Sequence, residues 1–206
     1  VNRIFVANRE DDLLRPYAVD MNIATIRVML DATTLALLEP LAAHQFQETD
    51  ALKRQGFLAP VEHLTAGLIE EAAQRASIAI SRKDPRGYDA ARRISDVRRM
   101  HMLLDLLKTQ GLRSARSYLE RADEKLRDGE RSTSRFLKKQ VIHNFRQAVQ
   151  DMKECHPKSA LVRQLVEEHL ENNPDDRILV FSEYRDTVDH LVEDLNQIPN
   201  ATVDRF

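Results

Sequence analysis

Residues 177–187, RILVFSEYRDT, set the tightest limit on what this chain can fold into. Ile178–Phe181 is a short apolar run that leads through a turn into the start of a helix, the grammar of a parallel strand and its crossover. A parallel strand needs strands on its flanks, yet almost everything before it reads as helix. The expectation is therefore a mainly α chain with about five long helices and short β/α pieces at both ends. That ending and a first residue of Val, not Met, suggest a piece of a longer polypeptide.

The rest of the sequence reads as capped helices. Asn22–Leu30 is rich in β-branched residues and predicts a strand. Asp31 then caps a helix to about Gln55, closed by Gly56 and kinked at Pro40. Apolar residues at Val61, Leu64, Leu68, Ala72, Ala76 and Ala79 predict an amphipathic helix from Val61 to about Arg82. Lys83–Gly87 is a break. Further helices are expected over Tyr88–Gln110, closed by Gly111, over 112–128, closed by Gly129, and as one long helix over Ser132–Glu154. Each of the 5 glycines falls at an expected helix end. After Cys155 the character changes. A helix over 160–171, a turn at 172–176, the strand Ile178–Phe181, a helix from about Asp186 to Asn196 and a possible strand at 201–206 follow one another. The natural divisions are 1–30, 31–155 and 156–206.

Composition excludes several classes of function. The single cysteine, Cys155, rules out an internal disulfide and a CxxC metal site, and fits a reducing cytoplasm. No apolar run reaches membrane length, so no membrane partner is expected. The seven histidines show no HExxH or other ligand spacing and read as surface or half-buried side chains. No phosphate-cradling glycine loop and no nucleophile elbow occurs, so these residues alone should do no covalent chemistry.

Charge carries the positive signal. The net charge of −2 conceals 19 Lys/Arg against 9 Asp/Glu between Arg75 and Arg146, with an acidic remainder. A basic middle makes a polyanion partner plausible. On one continuous helix, Arg131, Arg135, Lys139 and Arg146 share a stripe with Lys138 at its margin. Leu137, Val141, Phe145, Ala148 and Met152 share another face. Few carboxylates stand at i±4, so the stripe suits phosphates along a nucleic-acid backbone. A solvated face is the alternative. Arg92 with Arg99, and Arg113 with Arg116, extend the patch. Aromatic residues make up only 5%, so base stacking should not dominate.

The order of these parts resembles the archaeal Hef helicases, superfamily-2 DNA helicases related to the Fanconi-anaemia M protein. His156, Pro157 and Lys158 match the start of that family's second RecA-like domain. Val180, Phe181, Tyr184, Arg185 and Thr187 match its motif IV. Leu106–Leu119 resembles the helical domain inserted between the two motor domains, and Leu13–Asp20 resembles the exit from the first. The resemblance implies a thumb-like insert that grips forked or branched double-stranded DNA. The missing RecA-like halves of the same polypeptide would bind ATP and magnesium. No cofactor is expected within these residues, which lack the phosphate-binding lysine loop, the DECH-type motif and the arginine finger. Phe181, Ser182, Tyr184 and Arg185 become candidate backbone contacts, and an archaeal, nucleoid-associated location follows. Two other readings share the pattern. One is the double-stranded-RNA grip of RNA sensors and Dicer-type enzymes; the other is a helical protein scaffold.

Overall fold

Asp31 opens the first helix as expected. In a computed structural model of the chain, its carboxylate accepts from the Thr34 N–H at 2.7 Å and the Thr34 hydroxyl at 3.2 Å. The structure describes residues 23–129, 131–154 and 156–205, with Arg131 and Ser132 in backbone only. The expectations for Leu13–Asp20 and Cys155 lie outside these residues. Helix α1, Ala32–Arg54, runs through Pro40 and ends at Gly56, whose φ of 80° only glycine adopts readily.

Helix α2 is Ala66–Ser81, shorter than the expected Val61–Arg82. Val61 has no side chain to cap an orphan N–H, whereas the Thr65 hydroxyl accepts from Leu68 N at 3.3 Å. Helix α3, Pro85–Thr109, starts earlier than expected because Asp84 caps it and Pro85 sits in its first turn. Gly87 therefore lies inside α3 and Gly67 in the first turn of α2; neither closes a helix. A Cβ on Gly87 would stand 2.8 Å from Ile80 N and 3.0 Å from Ala76 O, so this glycine permits the close α2–α3 crossing. α1 runs antiparallel to α3, since Gln55 reaches Asp89 and Glu48 reaches Arg93.

Helix α4 is Leu112–Arg127. The single long helix expected next is instead two, α5 Arg131–Leu137 and α6 Gln140–Val149, with Lys139 extended at φ −65°, ψ 135° between them. Packing demands the break. Phe136 and Phe145 would stand about 180° apart on a straight helix, yet both are buried, at 0% and 4% exposure. The elbow turns Phe136, Ile142, Phe145 and Val149 to the same core, and Ala148 is left exposed.

Two apolar clusters fill the body, and α3 runs through both. One joins Leu41, Met100, Leu103, Leu107, Phe136 and Ile142; the other joins Leu52, Ile69, Ala72, Ala76, Ile94 and Val97. Helices α7, Pro157–Asn172, and α8, Arg185–Leu195, enclose a small third cluster of Val166, Leu195 and Ile198. The chain is mainly α, as expected.

The three expected strands are not formed among the described residues. Residues 23–30 are irregular, with Ile23 and Met29 exposed. Ile178–Phe181 has no strand beside it among the described residues, and Phe181 is 80% exposed. At 201–205 the Asn196 amide takes the place of a neighbouring strand, donating to Val203 O and accepting from Val203 N at 3.0 Å each. A strand without a ladder leaves its polar groups to water, so apolar sequence alone does not make one.

Candidate nucleic-acid interface

The break between α5 and α6 disperses the expected cationic stripe. Lys139 Nζ lies 3.2 Å from Glu48 Oε1 and 3.3 Å from Asp96 Oδ2. Arg135 Nε is 3.3 Å from Asp96 Oδ2, and its Nη2 donates to Arg92 O at 3.1 Å. Arg146 pairs with Asp123 at 2.9 Å and donates to Leu119 O. The Arg131 side chain lies outside the described residues. The carboxylates missing at i±4 are supplied by α1, α3 and α4, which one-dimensional spacing does not reveal.

The Arg93, Lys139, Glu48 and Asp96 network is half-buried, and its fields show in two groups. Burial pushes the Glu48 carboxyl up, but the charge and hydrogen bond of Lys139, with those of Arg93, outweigh it and hold it below the ordinary value. The His44 imidazole is lowered first by burial and then by the Lys139 charge, against the opposing pull of Glu48 and Asp96.

The other expected contacts mostly tie helices together. Arg116 donates to the carbonyls of Val149 and Met152, the open end of α6. Arg99 donates to Ser95 Oγ at 2.6 Å and to the buried Thr133 hydroxyl at 3.1 Å. Arg113 pairs with Asp194 at 3.2 Å and Arg121 pairs with Asp186, which dock α8 on α4. Thr187 Oγ1 completes that seam, donating to Gln110 Oε1 at 3.0 Å.

Some cations do remain available. Lys138 is exposed, with no ion pair among the described residues. Arg92 is 62% exposed and 3.8 Å from its Asp89 partner. Around it, Arg92, Arg93, Arg135, Lys138 and Lys139 outnumber Glu48, Asp89 and Asp96. The sequence reading missed the tip of the α2–α3 hairpin, where Arg82, Lys83 and Arg86 are exposed. Their signal was visible as cations around the Asp84–Pro85 break. The tip is tied by local hydrogen bonds: Lys83 N donates to Ile80 O, Asp84 N to Ala79 O, and the Asp84 carboxylate holds both the backbone and the guanidinium of Arg86.

The motif IV candidates lie at the start of α8. Tyr184 occupies its N-cap position, half-buried, and its phenol is pushed up by burial, then by the charges of Glu183 and Asp105. Ser182 is half-buried, while Phe181 and Arg185 are exposed. Upstream, His156 departs from the expected surface or half-buried role: it is 4% exposed. Its Nδ1 accepts from Lys158 N at 3.2 Å to cap α7, which leaves Nε2–H to donate to Lys108 O at 2.9 Å. Glu154 accepts from Leu112 N and Arg113 N at 3.0 and 2.8 Å, capping α4. The HPKS segment is thus a junction of α3, α4 and α7. Among the described residues no group of three His, Cys, Asp or Glu side chains could hold a metal ion, and no helix is long and apolar enough to cross a membrane.

No family model matches the chain. It is 23% identical over 202 residues to a Methanocaldococcus jannaschii protein named as a candidate ATP-dependent RNA helicase, covering 96% of this chain. The chain spans 25% of the length of that relative. In structure it is similar to the Pyrococcus furiosus Hef helicase domain, with a TM-score of 0.71 and 20% identity, over 96% of this chain and 42% of that one. The fold is that of part of a helicase domain.

Proposed function

We propose that the chain is the nucleic-acid-binding helical insert, with adjoining motor segments, of an ATP-dependent superfamily-2 DNA helicase that acts on forked or branched DNA in replication-fork repair. The observation that carries this reading is a helicase-domain fold with exposed cations at the α2–α3 tip, at Arg92 on α3 and at Lys138 by the elbow. On this reading residues 31–155 form the thumb-like insert, 1–30 belong to the first motor domain and 156–206 begin the second. ATP and magnesium would be held by RecA-like halves of the same polypeptide. The residues presented to phosphate are Arg82, Lys83, Arg92 and Lys138, while Arg135 and Lys139 shape the surface from beneath.

A fork-DNA titration across salt concentrations tests it. Each lost phosphate contact lowers the log–log slope by about 0.9, so Arg82→Ala/Lys83→Ala should flatten it by about two units with sequence preference unchanged. A slope equal to wild type removes the tip from the interface. The Methanocaldococcus jannaschii relative is named for RNA, which favours duplex RNA as the second reading. Tighter binding of duplex RNA than of forks in direct competition would establish that alternative. Binding of neither would leave a protein scaffold.

A further inference from the structure

Between α1, the 57–64 loop and α3 lies a cleft of about 360 Å³, within the range of small-ligand sites. Buried Leu58 and Leu104 lie at its base, and Lys53 of α1 and Lys108 of α3 flank it. The loop is pinned in place, with Lys53 Nζ donating to Val61 O at 3.2 Å. One further observation points to a ligand. Phe46 stands at this cleft with 65% of its surface exposed, an aromatic ring with little packed on it.

The chemistry narrows the occupant. An exposed ring, an apolar base and the Asp105 carboxylate suit a flat heterocycle with polar edges. Two lysines suit an anion attached to it, and His101 adds a third basic group. Glu62 projects into solvent at 90% side-chain exposure, which leaves Asp105 as the one other lining carboxylate against Lys53 and Lys108.

We propose that this cleft holds one unpaired nucleotide of a branched nucleic acid, its base against Phe46 and its phosphate between Lys53 and Lys108; the assignment rests on the nucleic-acid reading above. A branched substrate differs from a plain duplex in having unpaired nucleotides at its junction. The cleft therefore supplies a preference that the cationic tip, which meets only backbone, cannot.

The test is a forked DNA carrying 5-iododeoxyuridine at its first unpaired position, irradiated in complex with the full chain. The crosslink is expected on the peptide that contains Phe46. Phe46→Ala should abolish it and weaken fork binding about tenfold, with blunt-duplex binding unchanged and Phe46→Tyr restoring both. The exposure of Phe46 leaves the fold intact, as a thermal melt will show. Fork binding unchanged in Phe46→Ala, or a crosslink elsewhere, overturns the cleft assignment while the nucleic-acid reading stands. Failure of the wild-type chain to bind fork or duplex overturns both.

Discussion

Lys139→Ala distinguishes an internal ion pair from a phosphate contact, because the two roles predict opposite results in two assays. The Lys139 side chain is 17% exposed, and its partners Asp96 and Glu48 are 7% and 15% exposed. Truncating one member of a buried pair costs about 3–5 kcal/mol when the other is left alone. Here each carboxylate keeps a second partner, Asp96 with Arg135 at 3.3 Å and Glu48 with Arg93 at 2.7 Å. The expected loss is therefore smaller, about 2 kcal/mol, a fall in Tm of about 4–8 °C for a chain of this size. Urea denaturation measures the loss, and a double-mutant cycle with Asp96→Asn should return a coupling of about 1 kcal/mol. The salt slope for fork DNA should not move. Unchanged stability together with a slope reduced by about 0.9 would refute the ion-pair assignment.

The same variant has a pH signature. Glu48 titrates below its ordinary 4.5 in the folded chain, so its contribution is complete above that value and is lost as pH falls through the lowered one. His44 is held neutral, lowered from 6.5, so folding is disfavoured as pH falls from 6.5 through the folded value. Removing Lys139 takes away one cause of each shift. The acid limb of stability below 4.5 should shrink, and the imidazole resonances of His44 should titrate at higher pH.

The helices were legible because their ends are written locally. Asp31 with Thr34, and glycines at positive φ at 56, 111 and 129, all act within one turn. The reading failed where distant contacts decide. Nothing within 132–154 marks the elbow; it follows from burying Phe136 and Phe145 against one core, and that core is built by α1, α3 and α4. Once the helix bends, the stripe drawn on it no longer exists, and Arg135 and Lys139 meet carboxylates 39 and 91 residues away in sequence. A charge count marked a basic region of the chain but could not show which of its cations are paired by distant carboxylates. Those left exposed at the tip sit in a turn, where periodicity carries no information. His156 was misjudged for a related reason: a histidine that bonds through both ring nitrogens is as content buried as exposed.

Two further outcomes test the junction and the C-terminal segment. Gly111 has φ 97° and ψ −172°, and a Cβ there would stand 2.8 Å from both Glu154 Oε1 and His156 Cβ. Gly111→Ala should therefore cost about 2–4 kcal/mol in strain and lost capping of α4. Gly129→Ala, at φ 93° with nothing within 4 Å of the new Cβ, should cost only about 1–2 kcal/mol for its backbone; equal losses would refute the packing role of Gly111. Ile178–Phe181 gives the last expectation. Its apolar side chains are open to water, and among the described residues its amides lack the backbone partners of a ladder. Local opening thus has almost nothing to break there, whereas exchange at Leu103–Leu107 must disrupt the core of α3. Amides 178–181 should exchange at close to unprotected rates, and supplying neighbouring strands in a longer chain should slow these four far more than their surroundings. Protection of 178–181 equal to that of Leu103–Leu107 in a strictly monomeric chain would mean that the segment already has a partner, and the motor-segment reading of 156–206 would fall with it.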